Sequence, residues 1–145
     1  MPAAENIEFA RAWLTYVQGD VYGAQGCFAQ PQAPGWAIAF HCQQAVEKAY
    51  KGALVLHGIA PPKTHSLLYL QQLLLEIGVA SPLAPAVLGP LTEFAVREKY
   101  PILLGQPIVR EDAADFIAVA IVAVQWLQQT VDGAQAGAAG ADGSR

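Results

Sequence analysis

From Trp36 to His57 the chain runs without a proline, and a largely apolar helix can be traced through it whose centre carries His41, Gln44, Glu47, Lys48 and Lys51. At 1.5 Å per residue such a helix is about 33 Å long, enough to cross a small domain. Amide, carboxylate and ammonium groups in the middle of it are costly unless they meet partners or a ligand. The chain must therefore build either a polar network or a binding surface around this helix. Both outcomes make it the first place to look for function.

Proline, glycine and apolar spacing divide the remainder into four further helices. The first spans Asn6–Phe28, with Phe9, Trp13, Tyr16, Val17 and Val21 at helical spacing. Pro31, Pro34 and Gly35 separate it from the second helix, Trp36–His57, which Gly58 closes as a left-handed cap. After Pro61 and Pro62, Thr64 is placed to cap a third helix, His65–Ile77. Its Leu67, Leu68, Leu70, Leu73, Leu74 and Ile77 form a wide apolar stripe that Gly78 ends. Ser81 followed by Pro82 signals the start of a fourth, Pro82–Arg97, with a break near Gly89 because Pro90 removes a helical bond. Residues 100–109 hold Pro101, Gly105 and Pro107 and form a loop. The fifth helix, Glu111–Val131, opens on Glu111, Asp112 and Asp115, which suit a helix N-terminus. It is apolar on nearly every face from Ala113 to Val124, as in a central helix or a subunit interface. Residues 132–145 are rich in glycine and alanine and are expected to be disordered. No strand pattern appears. The fold class expected is all-α, an up-and-down bundle of about five helices over residues 1–131.

A chain of 145 residues makes one domain and buries about two-thirds of its unfolded surface. Its hydrophobic content of 54% is high, but no uninterrupted apolar run reaches the roughly 18 residues of a membrane span. The N-terminal residues lack the basic and apolar segments of a secretory signal, so a cytoplasmic protein with no membrane contact is expected. Cys27 and Cys42 have no disulfide or zinc spacing and read as free buried thiols, with no metal and no cofactor expected. A net charge of −4 argues against broad coating of nucleic acid. Locally the balance reverses: from His41 to His65 there are Lys48, Lys51 and Lys63 against Glu47 alone, and all three histidines fall in that window. A small basic site on an acidic body suits a nucleotide or a confined stretch of RNA.

On the second helix, steps of about 100° place His41, Gln44, Lys48 and Lys51 within an arc of roughly 80°, with Glu47 at its margin. One reading makes this a row of donors for phosphate or base edges, lining a groove near a dimer axis. The other pairs Glu47 with Lys51 at i, i+4 and lets Gln44 and His41 satisfy internal polar groups. Lys63 and His65 flank Thr64 at a helix start, where backbone N–H groups favour anions.

The strings FHCQQAVEKAYKG and PPKTHSLLYLQQLL resemble the HEPN domain, over roughly residues 6–130. That resemblance implies an all-α bundle, usually a homodimer, associated with nucleotide or RNA binding and often paired with a minimal nucleotidyltransferase in a toxin–antitoxin-like system. It also implies that ribonuclease-active members carry an arginine and a histidine with four to six residues between them. This chain lacks the motif: all three histidines precede Arg97, and Arg11 is followed at those distances by Tyr16, Val17 and Gln18. Arg97-Glu98-Lys99-Tyr100-Pro101 resembles the Arg-Tyr-Pro segment of non-catalytic relatives, with Lys99 in place of arginine. Arg97, Lys99 and Tyr100 therefore join the candidate binding residues, and no catalytic residue is assigned. Two alternatives remain: a metal-independent ribonuclease using His41 or His65 with Arg97, and a purely structural dimerisation subunit.

Overall fold

The structure, a computed structural model, describes residues 2–97 and 110–143. These hold five helices and no strand: α1 (Ala4–Ala29), α2 (Gly35–Leu56), α3 (Leu67–Glu76), α4 (Pro85–Arg97) and α5 (Arg110–Gly143). Helix α2 packs against each of the other four. Pairings of Gly23 with His41, Asp20 with Lys48 and Trp13 with Gly52 make α1 antiparallel to α2. Arg110 near Phe28, Gln128 near Gln18 and Gln135 near Arg11 make α1 antiparallel to α5 as well. Three long helices thus form the body, and the short α3–α4 pair covers the remaining flank of α2.

The core is built mainly from small and branched side chains. Ala10, Leu14, Val17, Val21 and Ala24 of α1 meet Ile38, Ala45, Val46, Ala49, Ala53 and Leu56 of α2 and Ala120, Ala123 and Leu127 of α5. Gly52 lies between Trp13 of α1 and Leu127 of α5: a Cβ there would sit 2.9 Å from Trp13 Cβ and 3.1 Å from Leu127 Cδ2. Helix α2 ends as expected, with Gly58 at φ +78°, its N–H on Val55 O and the Ile59 N–H on Leu54 O. Gly78 closes α3 in the same way.

Four local expectations are corrected. Ser66, not Thr64, caps α3: its hydroxyl accepts the Tyr69 N–H at 3.2 Å, while Thr64 accepts from Ser66 N. Helix α4 begins at Pro85, because the Ser81 hydroxyl is engaged with Tyr50 and Gln71 and caps nothing. There is no break at Gly89. Pro90 is exposed, so the Ala86 carbonyl that loses its helical donor can turn to water, and buried Leu88, Leu91 and Phe94 hold the helix against its neighbours on both sides of the proline.

The fourth concerns the tail, which continues α5 as far as Gly143. Alanine favours the helix intrinsically. Arg11 also ties the segment down through Asp132 (3.0 Å) and Gln135, and Ala134 and Ala138 pack on the core. So extended, α5 is long and apolar enough to cross a membrane by length and composition alone. In the fold it sets Ala113, Ala120, Ala123, Leu127 and Val131 against its neighbours.

Arg110, at the other end of α5, donates to the carbonyls of Phe28, Gln30 and Ala33 and stacks 5.0 Å from the Phe28 ring centre. These include carbonyls that α1 leaves unsatisfied at its C-terminus.

Cys27 and Cys42 are free, the first half-buried and the second buried. Burial, with the charge of Asp20 adding to it, pushes the Cys42 thiol up to about 12 from an ordinary 9.0. The folded protein therefore holds this proton when the unfolded chain has released it. Stability from this group is complete below pH 9.0 and is lost as pH rises towards about 12. Cys42→Ala will flatten that part of the alkaline decline, measured as urea midpoint against pH.

Candidate polar site on the second helix

Two acids organise the polar residues of α2, and the sequence nominates only one of them. Glu47 is buried, its side chain 6% exposed. Its carboxylate accepts from Gln43 Nε2 and Lys51 Nζ, each at 3.2 Å, and lies 2.8 Å from His65 Nδ1. Gln43 also donates to the His65 carbonyl, and Gln44 donates to Gln43 Oε1 at 2.7 Å. This network joins α2 to the segment before α3. Lys51 is only 12% exposed within it, so the i, i+4 pairing describes Glu47 and Lys51 better than a row of free donors does.

The second acid is Asp20 of α1. Its Oδ2 accepts from Lys48 Nζ at 2.6 Å and its Oδ1 lies 3.2 Å from His41 Nδ1. Gly23, one turn later, allows the approach: a Cβ there would be 3.0 Å from the imidazole. Here the side chains reach solvent, Lys48 at 26% and His41 at 34% exposed. Lys48 lines a groove of about 520 Å³ with Phe9, Ala12, Trp13, Tyr16 and Val55. Both lysines are thus ion-paired, but one pair opens onto a cleft and the other is enclosed.

The predicted residues divide accordingly. His41 and Lys48 gather around Asp20, whereas Lys51, His65 and Gln44 belong to the Glu47 network, which is enclosed at Glu47 and Lys51 but open at His65, 48% exposed. Lys63 is exposed on the segment between α2 and α3. Lys99 and Tyr100 lie outside the described residues, as does the side chain of Arg97. Sequence reasoning missed Gln43 and Asp20. Gln43 could have been found from its i, i+4 relation to Glu47. Asp20 gives no local signal, being 28 residues from Lys48. No group of three or more His, Cys, Asp or Glu among the described residues is placed to hold a metal ion.

A family model for the HEPN domain matches residues 36–130. With its helical bundle, the chain belongs to the HEPN domain family, whose functions relate to nucleotides and RNA. No curated protein and no solved structure matches it.

Proposed function

We propose that this chain is a nucleotide- or RNA-binding HEPN module without catalysis of its own, working as a homodimer beside a minimal nucleotidyltransferase in a toxin–antitoxin-like pair. The observation that carries the binding reading is the Asp20–Lys48–His41 cluster at the edge of an open groove. A phosphate can take the Lys48 ammonium from Asp20 while Asp20 keeps His41, so the ammonium is never left without an anion. The absence of an arginine and a histidine separated by four to six residues supports the non-catalytic part. Two arginines are also occupied elsewhere: Arg11 holds the end of α5, and Arg110 holds the end of α1. Tyr22 on α1 and Val122 on α5, both large and exposed, support contact with a second copy.

Lys48→Gln keeps a donor to Asp20 but removes the charge offered to phosphate. In calorimetric titration with ATP or short RNA it will weaken binding and lower the slope of log affinity against log salt by about one unit. Lys51→Gln will chiefly lower stability. Equal affinity for wild type and Lys48→Gln would refute the site. Co-purification with the product of a neighbouring nucleotidyltransferase reading frame tests the pairing; failure of the two to associate would refute it.

A further inference from the structure

We infer that the crevice between α1 and α2 takes one nucleoside phosphate lengthwise, base against Phe9, Trp13 and Tyr16 and phosphate at Lys48. This rests on the binding reading above and adds the size of the ligand, its direction and a stacking wall on α1.

Residues 9, 13, 16 and 20 recur every three or four positions and so share one stripe of α1. Because α1 and α2 run antiparallel, that stripe lies along His41, Lys48 and Val55, and the polarity of the crevice changes from end to end. Phe9, Ala12, Trp13 and Val55 line one half. Tyr16 then meets Lys48, whose Nζ lies 6.0 Å from its ring centre and forms the polar end of the lining, with Asp20 and His41 behind it. From Phe9 to Asp20 the helix rises about 16 Å. The volume of about 520 Å³ falls in the usual range for small-molecule sites.

A ligand that fits this gradient needs a flat ring at one end and an anion at the other. A strand of RNA would bring further phosphates onto the apolar half, where none of the described lining residues is a cation. An apolar helix from a partner would bury the Lys48–Asp20 pair under an apolar face and make no use of its charge. The described residues of the aromatic half supply no side-chain amide or carboxylate for the paired contacts that distinguish one base from another, so the crevice selects chiefly for ring and phosphate.

Phe9 and Tyr16 are 51% and 66% exposed and can be removed without opening the core. The full chain and its Phe9→Ala and Tyr16→Ala variants are titrated with ATP, GTP, adenosine and a ten-nucleotide single-stranded RNA, with sedimentation in parallel. ATP and GTP will bind within about threefold of each other, adenosine will bind at least about tenfold more weakly, and each variant will lose about tenfold in ATP affinity. If ATP binds and neither variant weakens it, the stacking wall is wrong while the Lys48 reading stands. RNA binding more than about tenfold tighter than ATP would make the crevice a strand track and overturn the single-nucleotide assignment. Conversion of a dimer to a monomer by either variant would make it a contact between copies and overturn that assignment equally. If neither ATP nor RNA binds, both readings fall together.

Discussion

Replacing Glu47 with alanine will destabilise the protein by about 3–5 kcal/mol, the range for removing one partner of a buried ion pair. The side chain is 6% exposed and serves three groups: Lys51, Gln43 and His65. Without it, the Lys51 ammonium, itself 12% exposed, has no anion and little water, and Gln43 loses an acceptor. The cost comes from leaving these groups unpaired. The double variant Glu47→Leu, Lys51→Met will therefore recover much of the loss, since an apolar pair of similar volume removes the stranded charge. Urea unfolding at neutral pH measures both. A loss below about 1 kcal/mol for Glu47→Ala would mean the pair behaves as an exposed one.

Tyr50→Ala will cost a similar amount, about 3–5 kcal/mol, as for other large aromatic truncations in a packed core. The ring is fully buried and meets Trp126 edge-on, 5.7 Å between centres. Its hydroxyl lies 2.7 Å from Ser81 Oγ, which also accepts from Gln71 Nε2. Gln71 in turn donates to the Leu83 carbonyl at 2.8 Å. One side chain thus connects α2 to α5 and to the segment joining α3 and α4. Burial raises the phenol above its ordinary 10.0, against the opposing hydrogen bonds from Ser81 and Gln71. Tyr50→Phe keeps the ring and will cost about 1 kcal/mol, the usual net worth of a hydrogen bond. If the two variants unfold at the same urea concentration, the hydroxyl and not the ring is what matters.

The bundle was legible because its helices announce themselves. Apolar positions recur with helical period, and Gly58 and Gly78 supply the left-handed residues that end α2 and α3. Capping was less legible where two hydroxyls compete within a few residues. Ser66 prevails over Thr64, and Ser81 is drawn away by Tyr50, a partner 31 positions earlier. Periodicity also could not say which way α1 faces. Phe9 and Tyr16 share its apolar spacing, yet the helix turns Ala10, Val17, Val21 and Ala24 inward because small residues let it approach α2 and α5 together. The rings are left on the surface.

The candidate site was half legible for a related reason. The residues of α2 could be grouped by angle, but sorting them into open and enclosed sets required Asp20. Its proximity is a property of the antiparallel packing and not of any local pattern. The tail was misjudged because composition takes no account of Arg11, which reaches Asp132 across 121 positions.

The second half of α1 contains Gly19, Gly23 and Gly26, each weakening a helix by about 1 kcal/mol relative to alanine. What secures its final turn is Arg110, eighty positions beyond Gln30. At ordinary synthesis rates of about 5–20 residues per second, those turns wait roughly 4–16 s for their fastener to be made. Stalled nascent chains that end before Arg110 will exchange the amide hydrogens of residues 25–29 rapidly, and released chains will protect them.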